Sequence, residues 1–285
     1  MSYSRPDALV STEWLGNHLT APDVRVVDGT YFTPESGRNA KAEYQACHIP
    51  GAVFFDIDEI ADSGSDLPHM LPPPEKISSR MRALGLGDGN RIVIYDAHGL
   101  MSAARVWWML RVFGHRDVAI LDGGLPKWLA EKRPTEDLPP APRTRHFTAT
   151  YNHTLVREVD QMAANIAAKT EQVVDARSAA RFTGEAADPW PGRRPGHIPG
   201  SLNLPYTELL DPESKTVLPA EALQARFAAA GIDLSRPVTA SCGSGVTACV
   251  IALGLYLIGK DDAAVDDGSW AEWGLRQDLP AVVGA

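Results

Sequence analysis

His48-Ile49-Pro50-Gly51-Ala52 returns later in the chain as His197-Ile198-Pro199-Gly200-Ser201. Working outward from this pair, Arg25-Val26-Val27-Asp28 is answered by Gln172-Val173-Val174-Asp175, and Arg91-Ile92-Val93-Ile94-Tyr95 by Pro237-Val238-Thr239-Ala240-Ser241. Asp122-Gly123 with Trp128 is answered by Asp267-Gly268 with Trp273. The anchors keep their order, and their offsets stay between 145 and 149 positions. Self-similarity at a nearly fixed offset signals a duplicated structural unit. A chain of 285 residues accommodates two domains of ordinary size. Between the copies lie Pro134, Pro139, Pro140 and Pro142 with Glu136 and Asp137. Proline fixes φ and removes donors, so this stretch reads as an extended connection. The expected division is a first domain over 1–133, a linker over 134–151 and a second domain over 152–285.

Within each copy, short apolar runs alternate with longer amphipathic ones. Val24 to Val27, Ile92 to Tyr95, Val173-Val174 and Pro237 to Ser241 read as strands. Ser102 to Phe113 and Thr247 to Leu257 read as helices. Strand–helix alternation implies a parallel sheet covered on both faces, an α/β architecture. Such sheets offer ligand sites beyond the carboxyl ends of their strands. That places one loop at Asp96 to Ser102 and another at Cys242 to Ala248, and only the second carries a thiol.

Composition narrows the function classes. The net charge is -9 and no long basic run occurs, which argues against nucleic acid as a partner. No run of apolar residues is long enough to span a bilayer, and Met1 to Asp7 lacks the apolar core of a signal peptide. Three cysteines, Cys47, Cys242 and Cys249, are too few for a disulfide framework and point to a reducing, cytoplasmic compartment. There is no Cys-x-x-Cys pair, and the eight histidines do not cluster at ligand spacing, so no metal is expected. Nothing in the sequence calls for a cofactor.

The loop Cys242-Gly243-Ser244-Gly245-Val246-Thr247-Ala248 follows a strand directly and opens a helix. Gly243 and Gly245 let the backbone curl and adopt angles closed to other residues. A loop of this type turns its N–H groups inward at a helix N-terminus and makes an anion-binding nest. A thiolate at its centre is held by those donors and by the helix dipole, with no adjacent histidine required. Cys249, one residue past the loop, reads as core packing, and Cys47 as structural. His48 and His197 occur in both copies and therefore read as turn-stabilising. Trp107, Trp108, Trp128 and Trp273 read as core or interface residues.

The duplicated domain, the two His-Ile-Pro-Gly turns and the Cys242 loop resemble the two-domain rhodanese-type sulfurtransferases, over essentially the whole chain. Cys-Gly-Ser-Gly-Val-Thr-Ala is similar to the 3-mercaptopyruvate branch; thiosulfate-using members place basic residues just after the cysteine, where Gly243 and Ser244 stand here. Phe54-Phe55-Asp56-Ile57-Asp58 and Pro68-His69-Met70-Leu71-Pro72 resemble the same branch. The fold this implies is two tandem rhodanese-like domains, each a parallel sheet flanked by helices. The implied chemistry is attack by the Cys242 thiolate on a small anionic sulfur donor, release of pyruvate, and a persulfide on Cys242. A small thiol, a thioredoxin-like protein or cyanide then takes the outer sulfur, a covalent two-step transfer.

By the same resemblance, Ser244 and Asp58 form a proton-handling set with Cys242, with His69 beside them. Gly243, Gly245, Val246 and Thr247 supply the loop amides around the substrate. Arg181, in Ala180-Arg181-Phe182, is implied to pair with the donor carboxylate. A second arginine of the family pattern falls on Trp190, a departure that leaves Arg193 or Arg194 to supply that charge. Asp96, where the second copy has Cys242, cannot carry sulfane sulfur, so the first copy is expected to be silent and to wall the cleft.

Three rivals follow from the same residues. A cysteine phosphatase needs Cys-x5-Arg, and that position is Ala248. A thiosulfate sulfurtransferase is the alternative donor reading. A non-catalytic module for binding or regulation would usually lack the cysteine, which is intact.

Overall fold

The computed structural model describes residues 2–284. It contains two five-stranded, wholly parallel sheets of identical topology. The first is built from β1 (Leu9–Val10), β2 (Val24–Asp28), β3 (Val53–Phe54), β4 (Arg91–Tyr95) and β5 (Val118–Leu121), in the order β1-β5-β4-β2-β3. The second comprises β6 (Val156–Arg157), β7 (Gln172–Asp175), β8 (Leu202–Asn203), β9 (Val238–Ser241) and β10 (Ala264–Asp266), in the order β6-β10-β9-β7-β8. Val-, Ile- and Ala-rich strands buried on both faces are what parallel sheets require, and β4 and β9 sit at the centre of each.

The helices that follow the central strands, Ala103–Val112 and Ala248–Leu257, pack against each other. Both are buried nearly all round, and a helix apolar on every face belongs in a core rather than at a surface. One apolar cluster therefore runs through both sheets, joining Val27, Ile94 and Trp108 to Val174, Ala240 and Leu253. Because the helices start where the two loops end, their packing brings both loops to the junction of the copies.

The Pro-rich connection carries no helix or strand among the described residues and is strapped to the first domain. The His48 and Glu136 backbones exchange hydrogen bonds of 2.9 Å, the Asp88 amide donates to the His146 carbonyl at 2.8 Å, and Phe147 is buried. In the second copy the C-terminal segment plays the same part, with His197 and Val282 exchanging bonds of 2.9 and 3.1 Å. Both repeated histidines are structural: His48 stacks on Tyr44 and bonds its carbonyl at 2.7 Å, and His197 stacks on Phe182 and bonds its carbonyl at 2.9 Å. Trp107, Trp108, Trp128 and Trp273 are all fully buried.

Candidate active site

β9 ends at Ser241 and delivers Cys242 into a loop of six residues before the helix begins at Ala248. Cys242 is buried, at 1 % exposure. Its amide donates to Ser269 Oγ at 3.1 Å, and its carbonyl accepts from the Trp270 amide at 3.0 Å. Ser269 adopts φ +49, a strained angle for a serine, and is fixed there by its hydroxyl donating to the Asp266 carbonyl and its amide donating to the Asp266 carboxylate. Asp266 is buried under the loop and also accepts from Ser241 Oγ at 3.0 Å. Burial pushes its carboxyl up to about 7, against the pull of those two donors.

Among the described residues, none of the amides from Gly243 to Thr247 donates to a protein acceptor. Five amides without a protein acceptor, following a buried thiol and leading into a ten-residue helix, are donors available to negative charge. The two loop glycines serve different ends. Gly245 has φ +73, as expected for a tight curl, and its carbonyl accepts from Arg105 Nη1 at 3.2 Å and from Cys249 Sγ at 3.1 Å. Gly243 is not at positive φ, contrary to the expectation of a special angle; a Cβ there would stand 2.6 Å from Arg181 Nη2. A side chain at Gly243 would have to displace the Arg181 guanidinium.

Arg181 therefore lies against Gly243 of the loop. Its Nη2 is 2.5 Å from Asp188 Oδ2, while its Nε is buried without a protein partner among the described residues. Asp188 also lies 3.7 Å from Arg177 and receives the Trp190 amide at 3.2 Å, which ties this rim together. Arg193 donates to the Ala271 carbonyl at 2.9 Å, and the Ala271 amide in turn donates to the Gly243 carbonyl at 2.7 Å, so Arg193 stands one peptide from the loop. Arg194 does not join it. Its guanidinium donates to the Arg276 and Leu279 carbonyls at 2.7 and 3.0 Å and is used up bracing the C-terminal segment. Val246 is buried in the loop, and Thr247 precedes the helix without capping it through its side chain.

The first copy contributes the rest. His69 Nδ1 is hydrogen-bonded to Ser244 Oγ at 2.9 Å, across the junction. His69 Nε2 stands 3.1 Å from Asp58 Oδ1, an ion-pair distance without hydrogen-bond alignment. A carboxylate on that side favours the proton on Nε2 and leaves Nδ1 to accept from the Ser244 hydroxyl. The line Asp58–His69–Ser244 runs from an exposed carboxylate to the residue two beyond Cys242. His69 itself is buried, at φ +62, between the edges of Tyr31 and Trp190. Trp190 thus packs on the histidine where a charge was expected.

Sequence reasoning missed Arg105. It projects from Ala103–Val112, is completely buried, and pairs with Asp267 Oδ1 at 2.7 Å. Burial alone would lower its pKa; the Asp267 carboxylate reverses that, and the guanidinium stays charged. Burial pushes the Cys249 thiol up, so Cys249 remains a protonated donor to Gly245 and part of the packing. Among the described residues no group of three or more His, Cys, Asp or Glu is placed to hold a metal. Cys47 lies on a separate 450 Å³ cavity with Arg38 and Ala97, in the first copy.

The family model for the rhodanese-like domain matches twice, over residues 11–131 and 158–276. The chain belongs to the rhodanese family. Its curated relatives include the 3-mercaptopyruvate sulfurtransferases of Homo sapiens (42% identical, covering 94% of this chain and 92% of that one) and Escherichia coli K12 (42%, covering 95% and 96%). The thiosulfate sulfurtransferase of Bos taurus is equally similar, at 42% over 93% of this chain and 91% of its own. The crystal structure of SseA from Escherichia coli, described as a 3-mercaptopyruvate sulfotransferase, superposes with a TM-score of 0.85 at 39% identity, covering 92% of this chain and 98% of that one. Identity to named relatives thus places the chain among the sulfurtransferases and leaves the choice of donor to the site.

The two rhodanese domains differ where it matters. In the first, the Asp96 carboxylate occupies its own loop, accepting from the amides of His98, Met101 and Ala103 at 2.9, 2.7 and 2.8 Å. His98 serves that loop by bonding the Tyr31 carbonyl at 2.9 Å.

Proposed function

We propose that this rhodanese-family chain is a 3-mercaptopyruvate sulfurtransferase with Cys242 as its nucleophile. The observation that carries this reading is the open nest of amides from Gly243 to Thr247 around a buried thiol, with Arg181 above it. Cys242 as thiolate attacks the donor sulfur; the carbon–sulfur bond breaks, its electron pair goes to the carbon, and the enolate of pyruvate leaves. The donor's thiol proton moves to that carbon, and Ser244, His69 and Asp58 form the relay placed to carry it. The loop amides stabilise the persulfide anion that remains. The unpartnered Nε of Arg181 takes the donor carboxylate, and Arg193 adds charge from the neighbouring turn.

Thiosulfate is the second reading, favoured by the bovine relative's equal identity. A dianion needs more positive charge than this rim supplies, because Asp188 already neutralises part of Arg181 and Trp190 brings none. Comparing kcat/KM for the two donors tests the assignment; a preference for thiosulfate overturns it. The acceptor is a small thiol, a thioredoxin-like protein or cyanide in this reading. The division into domains 1–133 and 152–285 with a linker over 134–151 belongs to the same proposal. Three unpaired cysteines support a reducing, cytoplasmic setting, and no described helix is long and apolar enough to cross a membrane.

A further inference from the structure

The relay residue His69 sits at φ +62, a conformation a histidine holds only when its surroundings enforce it. Its carbonyl is held by a buried ion pair between the domains. Arg105, from the first domain, donates to the His69 carbonyl and to Asp267 Oδ1. Asp267, from the second domain, accepts on Oδ2 from the Leu71 amide at 2.8 Å. The segment His69-Met70-Leu71 is thus gripped at both ends by one guanidinium–carboxylate pair. The same guanidinium donates to the Gly245 carbonyl at 3.2 Å, inside the Cys242 loop. One side chain therefore fixes the relay histidine and the nucleophile's loop relative to each other.

The silent half lacks this grip. The spacing that relates Asp96 to Cys242 also relates His69 to Lys215, Leu71 to Val217 and Arg105 to Ile251. Lys215 repeats the strained angle, at φ +60, and the Val217 amide donates to Asp122 Oδ1 at 2.8 Å, as Leu71 does to Asp267. Among the described residues no guanidinium completes that set, and burial pushes the Asp122 carboxyl up to about 6. A turn of this shape forms without arginine. Arg105 is added only where there is a histidine to aim.

We propose that Arg105 is a positioning residue for sulfur transfer, setting the register of His69 and Ser244 on Cys242 through the His69 and Gly245 carbonyls. This rests on Cys242 being the nucleophile. Three variants are compared in the full chain with 3-mercaptopyruvate: Arg105→Lys, Arg105→Met with Asp267→Leu, and Cys242→Ser. Lysine keeps the charge against Asp267 but cannot span three acceptors. Its kcat is expected to fall on the order of 10²-fold with KM changed less than about threefold, the size expected from a misaligned reacting group. The double variant removes both charges together, so no unpaired ion is left buried; it is expected to be equally slow while its Tm stays near that of the parent. Wild-type kcat in either variant overturns the proposal, since the pair would then serve folding alone. If the double variant does not fold, the lysine variant decides. Turnover by Cys242→Ser would instead overturn the nucleophile assignment, and so separates the two failures.

Discussion

In the loop after β4, the Asp96 carboxylate accepts from three backbone amides; in the loop after β9, the matching amides of Ser244 and Thr247 have no protein acceptor, and a thiol stands in the aspartate's place. Parts of the surrounding backbone match. The Leu125 amide donates to the Asp96 carbonyl at 3.0 Å as the Trp270 amide does to that of Cys242, and Gly124 at φ +53 matches Ser269 at φ +49. The first loop shows within this molecule that the nest holds an anion. The second keeps the nest open for an anion that arrives with the substrate or forms on the sulfur.

The largest effect should come from closing the second loop. Cys242→Asp puts a carboxylate among the free amides and should leave a folded protein with no transfer of sulfur from 3-mercaptopyruvate, measured as pyruvate release; persistent release would show that the nest is not the site. Removing the relay should cost less. His69→Asn keeps a polar side chain but handles no proton, and kcat should fall about 10²–10⁴-fold. Arg181→Ala should act mainly on donor binding, raising KM by a factor of about 10–100, as expected for a lost charged hydrogen bond; unchanged KM would remove it from the rim.

The first loop should respond in stability and not in activity. Asp96→Ala leaves three amides without their acceptor and should cost roughly 3–5 kcal/mol in denaturant unfolding, with kcat per folded molecule within a few-fold of the parent. A smaller effect tests Asp266, whose counterpart in the first domain is Leu121. Its carboxyl is raised to about 7 by burial, so folding favours the neutral form. Below about pH 4 the group is neutral in both states; from there up to about pH 7 the unfolded chain ionises first and stability is lost. Asp266→Asn is neutral throughout, so its advantage over the parent should widen between those values and then level off, by a few kcal/mol at most. A constant gap would place the titration elsewhere.

The repeat carried most of the fold, because four anchors in order leave few alternatives for two parallel sheets. The Cys242 loop was legible for a related reason: its glycines and its strand–helix setting are local features. Ser244, Asp58 and His69 came only through family resemblance, since no local pattern joins residues far apart in the chain. Arg105 escaped notice because an arginine in a ten-residue helix, which also carries Arg111, looks like an exposed position. The available signal was that every neighbour from Ala103 to Leu110 is apolar and that the repeat has Ile251 at that position. Arg194 stood beside Arg193 as an alternative because its charge was visible, while the four carbonyls from Trp273 to Leu279 that accept from it were not.

The measurement closest to the account's centre is the mass of the peptides after a single turnover with 3-mercaptopyruvate and no acceptor. One added sulfur atom should appear on the peptide holding Cys242, none on those holding Cys47 or on the Asp96 loop, and none anywhere in Cys242→Ser. Fragmentation should place it before Cys249. Sulfur on Cys249 or Cys47, or an unlabelled Cys242 during productive pyruvate release, would contradict it.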